Sequence, residues 1–141
     1  MSKIAVVYWS GTGNTETMAQ SVAKGAQSAG AQATLIEADS FGPEQVASYD
    51  AFAFGCPAMG AEDLEEEIFD PMFQSVLPKL EGAKAALFGS YGWGDGEWMQ
   101  NWEQSCRDGG VELIHDSVIC CEAPEADTLS ACEALGAALA Q

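Results

Sequence analysis

Six consecutive residues, Ser10-Gly11-Thr12-Gly13-Asn14-Thr15, combine two glycines with four side chains able to donate hydrogen bonds. A stretch of that kind can wrap an anion, because glycine lets the backbone come close while hydroxyl, amide and main-chain N–H groups supply donors. It contains no Lys or Arg, so a phosphate held there would be met by neutral donors alone. The same residues also read as a tight turn in which Thr15 caps a helix; taken by itself the loop supports both readings. Two further glycine-marked stretches carry large side chains that have no core to enter. Met59 lies in Gly55-Cys56-Pro57-Ala58-Met59-Gly60, and Tyr91 and Trp93 lie in Gly89-Ser90-Tyr91-Gly92-Trp93-Gly94-Asp95-Gly96. A flat ring between Met59 and Trp93 would gain stacking and hide their surface from water. Packing against the loop edges is the alternative, above all for Tyr91. A phosphate at the first loop and a ring between the other two describe a mononucleotide.

The elements that must position these loops alternate along the chain. Continuous apolar runs at residues 4–9 and 51–54, and at 84–88 after its lysine, read as buried parallel strands; residues 33–38 read as another, and residues 111–121 hold a fifth. Helical patterns follow at 16–29 (closed by Gly30), at 97–108 (closed by Gly109-Gly110) and from Pro124 onward, with at most a short helix at 43–48. Residues 62–76 form an acidic segment interrupted at Pro71. Trp98 and Trp102, at helical spacing, read as packing residues. Alternating strands and helices predict an α/β fold: a doubly wound five-stranded parallel sheet in the order 2-1-3-4-5, as a single domain over residues 1–141. In that order the chain reverses between strands 1 and 3, a crevice opens at the carboxyl ends of the strands, and all three glycine-rich loops border it.

Twenty-two acidic residues face five Lys plus Arg in 141 residues, a net charge of −17. That balance argues against nucleic acid or an anionic membrane as partner and toward something basic. No run reaches the ~18 apolar residues of a membrane span, and the start reads as a strand, so the expectation is a cytoplasmic protein, monomeric by default. Five cysteines without a C-x-x-C pair, and His115 as the single imidazole, predict isolated thiols and a structural histidine. Cys120 and Cys121 are expected to point to opposite faces of a strand end.

The three loops, in this order and spacing, resemble those of the flavodoxins, small FMN-containing electron carriers, and the likeness runs from residue 3 to the final helix. It is nearest to the short-chain branch, with no insertion in the fifth strand, and it implies the flavodoxin-like fold. By the resemblance, Ser10, Thr12, Asn14 and Thr15, with the N–H groups of Gly11 and Gly13, bind the FMN phosphate, and Ser90 adds a hydroxyl. Trp93 stacks on one face of the flavin and Met59 lies against the other. Pro57, Ala58, Gly60, Ala61, Tyr91, Gly92 and Gly94 complete the flanking loops, and Glu62 accepts a hydrogen bond from the ring. Pro57 stands where some relatives have a serine, and Ala61 where some have a polar residue.

The function so implied is low-potential shuttling of single electrons between redox enzymes, cycling between semiquinone and hydroquinone. No catalytic residue or metal is expected. The Gly60-Ala61 peptide is the expected acceptor for the reduced ring, with Gly60 permitting it to turn over. Acidic groups at 62–70, at Asp95 and Glu97, and at Glu122, Glu125 and Asp127 converge on the expected flavin edge as a rim for basic redox partners, although a solvated face accounts for much of 65–67. A small FMN-dependent NAD(P)H or quinone reductase is the alternative. It would need extra chain to build a substrate pocket, and 141 residues leave little.

Overall fold

Residues 4–8 take the middle of the molecule because they offer almost only apolar surface to both sides of a strand. The computed structural model of the chain describes residues 2–11, 13–59, 63–92, 94 and 96–141. In it β1 (Lys3–Tyr8) pairs in parallel with β2 (Gln32–Glu37) on one side and β3 (Ala51–Gly55) on the other. Beyond β3 lies β4 (Lys84–Tyr91), and then a fifth position filled by two segments, β5 (Glu112–Leu113) and β6 (Val118–Cys121), both parallel to β4. The order is 2-1-3-4-5, as the strand and helix alternation predicts.

Strand alternation sorts the interior into two layers. Ala5, Val7, Phe52, Phe54, Ala85 and Leu87 face α2 (Phe69–Val76) and α3 (Glu97–Asp108). Ile4, Val6, Ala51, Ala53, Ala86 and Phe88 face α1 (Asn14–Ser28) and α4 (Ala126–Leu139). Trp98 and Trp102 are buried in the first layer, and Trp102 meets Phe69 and Phe73 edge-on at 86°. Cys56, Cys106 and Cys132 are buried thiols; Cys120 packs on the second layer while Cys121 is exposed, the two sides of a strand end.

Four local expectations change. The fifth strand is broken. Between Leu113 and Val118 the chain has two residues more than β4 has between their partners, Ala85 and Phe88. His115, Asp116 and Ser117 make other bonds instead of a ladder: the His115 ring lies 2.8 Å from the Asp116 carbonyl, and the Ser117 hydroxyl donates to Glu103. β4 runs three residues past Phe88, because β6 supplies a partner for Gly89, Ser90 and Tyr91. At Gly89 a Cβ would stand 2.2 Å from the Cys56 carbonyl oxygen, so the side-chain-free residue is a packing requirement as well as a turn signal. Helix α1 begins at Asn14 after Gly13 in the left-handed region (φ 96°), which places Thr15 inside the helix and ends the reading of it as the cap. Finally, Pro71 sits in the first turn of α2, where its missing N–H costs nothing, and does not interrupt the helix.

Candidate functional site

The loop after β1 is closed by its own side chains. The Gly13 N–H donates to Ser10 Oγ at 3.0 Å, and Thr17 Oγ1 donates to the Gly13 carbonyl at 2.9 Å. The turn therefore aims the start of α1, whose first N–H groups have no intrahelical acceptor, at the sheet edge. Thr15 Oγ1 and Ser90 Oγ, both buried, lie 3.3 Å apart and join this loop to the end of β4. Where the order reverses, β3–β4 pairing continues past the strand: Cys56 N–H donates to the Phe88 carbonyl (3.2 Å) and Ala58 N–H to that of Ser90 (3.0 Å). Met59 and Asp63 then exchange two backbone bonds of 2.9 and 2.8 Å.

These loops border one crevice of about 320 Å³, within the ~300–1,000 Å³ typical of small-molecule sites. Of the expected residues, Gly11 and Asn14 line it from the first loop, Pro57, Ala58 and Met59 from the second, and Ser90, Tyr91 and Gly92 from the third. Ser10, Gly13 and Thr15 stand behind this lining as supports, and Gly94 is exposed and does not line it. Thr12, Gly60, Ala61, Glu62 and Trp93 lie outside the described residues, as does Asp95. Tyr91 packs on Trp98 with ring centroids 5.4 Å apart, and the Trp98 indole N–H donates to the Cys56 carbonyl at 3.3 Å.

Two lining residues were not foreseen as site residues. Trp9 follows the first apolar strand, and a Cβ on Gly11 would stand 3.0 Å from its ring, so the glycine lets the loop lie flat on the indole. Glu122 is, among the described residues, the one non-glycine at positive φ (61°), and its N–H donates to the Tyr91 carbonyl at 2.7 Å. Its signal in the sequence was an acidic residue directly after the last strand. Among the described residues no Lys or Arg lines the crevice. A larger hollow of about 440 Å³ lies between α2 and α3, but Asp63, Glu66 and Asp70 line it. Three carboxylates would repel a phosphate, so volume alone misleads here.

The acidic run beside Met59 divides. Asp63, Glu66 and Glu67 are exposed, but Glu65 is only 6% exposed and is not part of any rim. Its Oε1 accepts from the Ile68 and Phe69 N–H groups at 2.8 and 2.7 Å, and its Oε2 from Glu67 N–H at 2.9 Å. Burial pushes this carboxyl up, yet the three bonds outweigh it and hold Glu65 below the usual carboxylate range. Burial pushes the Cys56 thiol up as well, and there it prevails over the Glu65 N–H bond and keeps an inert thiol behind the loop.

The model of the family described as "Flavodoxin" matches residues 6–136. The chain is 44% identical over 138 residues to the flavodoxin of Megasphaera elsdenii, covering 98% of each protein. It is 41% identical over 120 residues to that of Clostridium beijerinckii, covering 85% of this chain and 87% of the relative. Among solved structures, the solution structure of two-electron reduced Megasphaera elsdenii flavodoxin superposes with a TM-score of 0.90, covering 97% of this chain and 98% of that one.

Proposed function

The chain belongs to the flavodoxin family, and from that premise we propose that the crevice holds FMN in a carrier working at low potential between redox enzymes. The protein is an electron carrier rather than an enzyme, its cofactor is FMN, and it acts with redox partner proteins. Bound FMN supplies a ring that takes up and gives back electrons one at a time.

One observation carries the assignment of the site: a single hollow joins two chemistries. At one end stand Asn14, Gly11 and the start of α1, donors without a countercharge; at the other, Met59, Ala58 and Tyr91 offer apolar walls. A phosphate fits the first because N–H groups and a helix dipole suit a dianion, each bond to a charged group contributing about 1.5–3 kcal/mol. The second fits a flat apolar ring, and Ser90, tied to Thr15, spans the two. In this reading Ser10, Gly11, Thr12, Gly13, Asn14 and Thr15 hold the phosphate, and Met59 and Trp93 flank the flavin. The chain is one domain and monomeric, and it works in the cytoplasm. Among the described residues no helix is long and apolar enough to cross a membrane. Exposed Asp63, Glu97, Glu122, Glu125 and Asp127 form the rim on which a basic partner docks, steered by charge.

The test is titration of apo-protein with FMN and with riboflavin, followed by quenching of flavin fluorescence. FMN should bind at least tenfold tighter, and Thr15→Val, which removes the hydroxyl facing Ser90, should narrow that ratio. Equal affinities for the two flavins would overturn the phosphate assignment.

A further inference from the structure

We propose that Glu65 is a positioning residue: its buried carboxylate clasps residues 65–69 beside Cys56, so that the Asp63 pairing sets Met59 against the crevice, and it thereby controls flavin affinity and both reduction potentials. The inference rests on the reading of that crevice as the FMN site.

Three glutamates stand in a row, Glu65-Glu66-Glu67, with one charge each, yet only the first is buried. Its carboxylate takes the N–H groups of Glu67, Ile68 and Phe69, the donors leading into α2, which start with no intrahelical acceptor. A carboxylate in that place also meets the positive end of the helix dipole. The main chain of Glu65 is engaged too. Its carbonyl accepts from Asp70 N–H at 2.8 Å, and its N–H donates to Cys56 Sγ at 3.4 Å.

That last bond closes a ring. Cys56 is fully buried at the end of β3, its thiol donates to the Pro57 carbonyl at 3.5 Å, and its carbonyl holds the Trp98 indole. The chain leaves Cys56, passes Ala58 on Ser90 and Met59 paired with Asp63, and returns to the same sulfur at Glu65. Both ends of the segment bearing Met59 are therefore pinned at one atom. If the carboxylate is lost, three N–H groups lose a charged acceptor, and the return end of the ring is held by the main-chain bonds of Glu65 to Cys56 and Asp70 alone. A shift at Glu65 reaches Met59 through the Met59–Asp63 pair, which joins the return end of the ring to the crevice side.

The experiment compares Glu65→Gln with Glu66→Gln and Glu67→Gln in the full chain. Each removes one negative charge from neighbouring positions, so through-space electrostatics alone predicts similar effects that fade with salt. With the clasp, Glu65→Gln should weaken FMN and riboflavin by the same factor, at least tenfold, since the ring end is disturbed and the phosphate end is not. Its two midpoint potentials should shift and stay shifted at high salt. Amide hydrogen exchange should speed up at 57–69 in apo-protein as well. Glu66→Gln and Glu67→Gln should stay within about twofold in affinity. If Glu65→Gln does not fold, Glu65→Asp and Cys56→Ala, which shorten the reach or remove the sulfur acceptor, should move the same readouts in the same direction. Glu65 variants that match Glu66→Gln overturn the inference and leave the site assignment standing. Wild-type protein that binds neither flavin overturns the site assignment, and this inference with it.

Discussion

Replacing Gly25 by alanine sets two known effects against each other. Gly25 is in α1, where it faces α4, and a Cβ there would lie 1.9 Å from the Glu133 carbonyl oxygen and 2.6 Å from its Cα. The contact is reciprocal: on Gly136 of α4 a Cβ would stand 2.0 Å from the Val22 carbonyl oxygen. These obstacles are backbone, which cannot rotate away as a side-chain tip can. Reaching an ordinary contact of 3.4 Å takes roughly 1.5 Å of helix movement. Alanine in a helix interior gains ~1 kcal/mol over glycine. Against that, overpacking a tight interface costs about 1–3 kcal/mol, and the separated helices also lose dispersion contacts along their length. The close approach should win, with a net loss of about 1–2 kcal/mol and a Tm lower by about 3–8 °C. The site should feel it as well. The bond between Thr15 and Ser90 is already 3.3 Å long, so a sub-ångström shift of α1 breaks it, and FMN should lose more affinity than riboflavin. Urea unfolding of apo-protein and paired flavin titrations measure both effects. Gly25→Ala with Gly136→Ala should cost less than the sum of the two, since the first separation makes room for the second. A Gly25→Ala protein as stable as wild type, or more so, would refute this reasoning.

Three further outcomes follow from the same geometry. Glu65 is held below the usual carboxylate range, so its contribution is complete above the ordinary carboxyl pKa of ~4.3 and is lost as pH falls through the lowered value. Urea unfolding should show Glu65→Gln about 2–4 kcal/mol less stable at pH 7, with the difference shrinking below pH ~4; a constant difference down to pH 2 would contradict the assignment. Thiol titration of native protein at pH 8 should give one fast reaction, at exposed Cys121, because burial holds Cys106 and Cys132 up at about 12 and raises Cys56 and Cys120 as well; a fast phase surviving Cys121→Ser would show the assignment wrong. Adding an electron places an anion in a protein at −17, and one charge about 10 Å away costs ~0.4 kcal/mol, or about 20 mV for a one-electron couple. Several such charges lower the second potential by an order of 100 mV, so raising ionic strength should raise that potential by tens of millivolts; a salt-independent value would count against rim electrostatics.

Local pattern carries much of this protein. The apolar runs at 4–8, 51–54 and 85–88 declare buried parallel strands because both faces of each must leave water, and alternation with helices then limits the order to 2-1-3-4-5. The three glycine-marked loops were legible for the same reason: once the order is known, they have only one edge to share. Four features depend on pairing across long stretches of chain. Gly89, Ser90 and Tyr91 are strand and not loop only because β6, some thirty residues on, lies beside them. The break at residues 114–117 reflects a mismatch in length against β4, and Thr15 leaves the cap position because Gly13 takes the left-handed turn. Glu65 and Glu66 are indistinguishable as letters. Three N–H groups and a buried sulfur converge on the first and on none of its neighbours, and convergence of that kind exists only after the chain has folded.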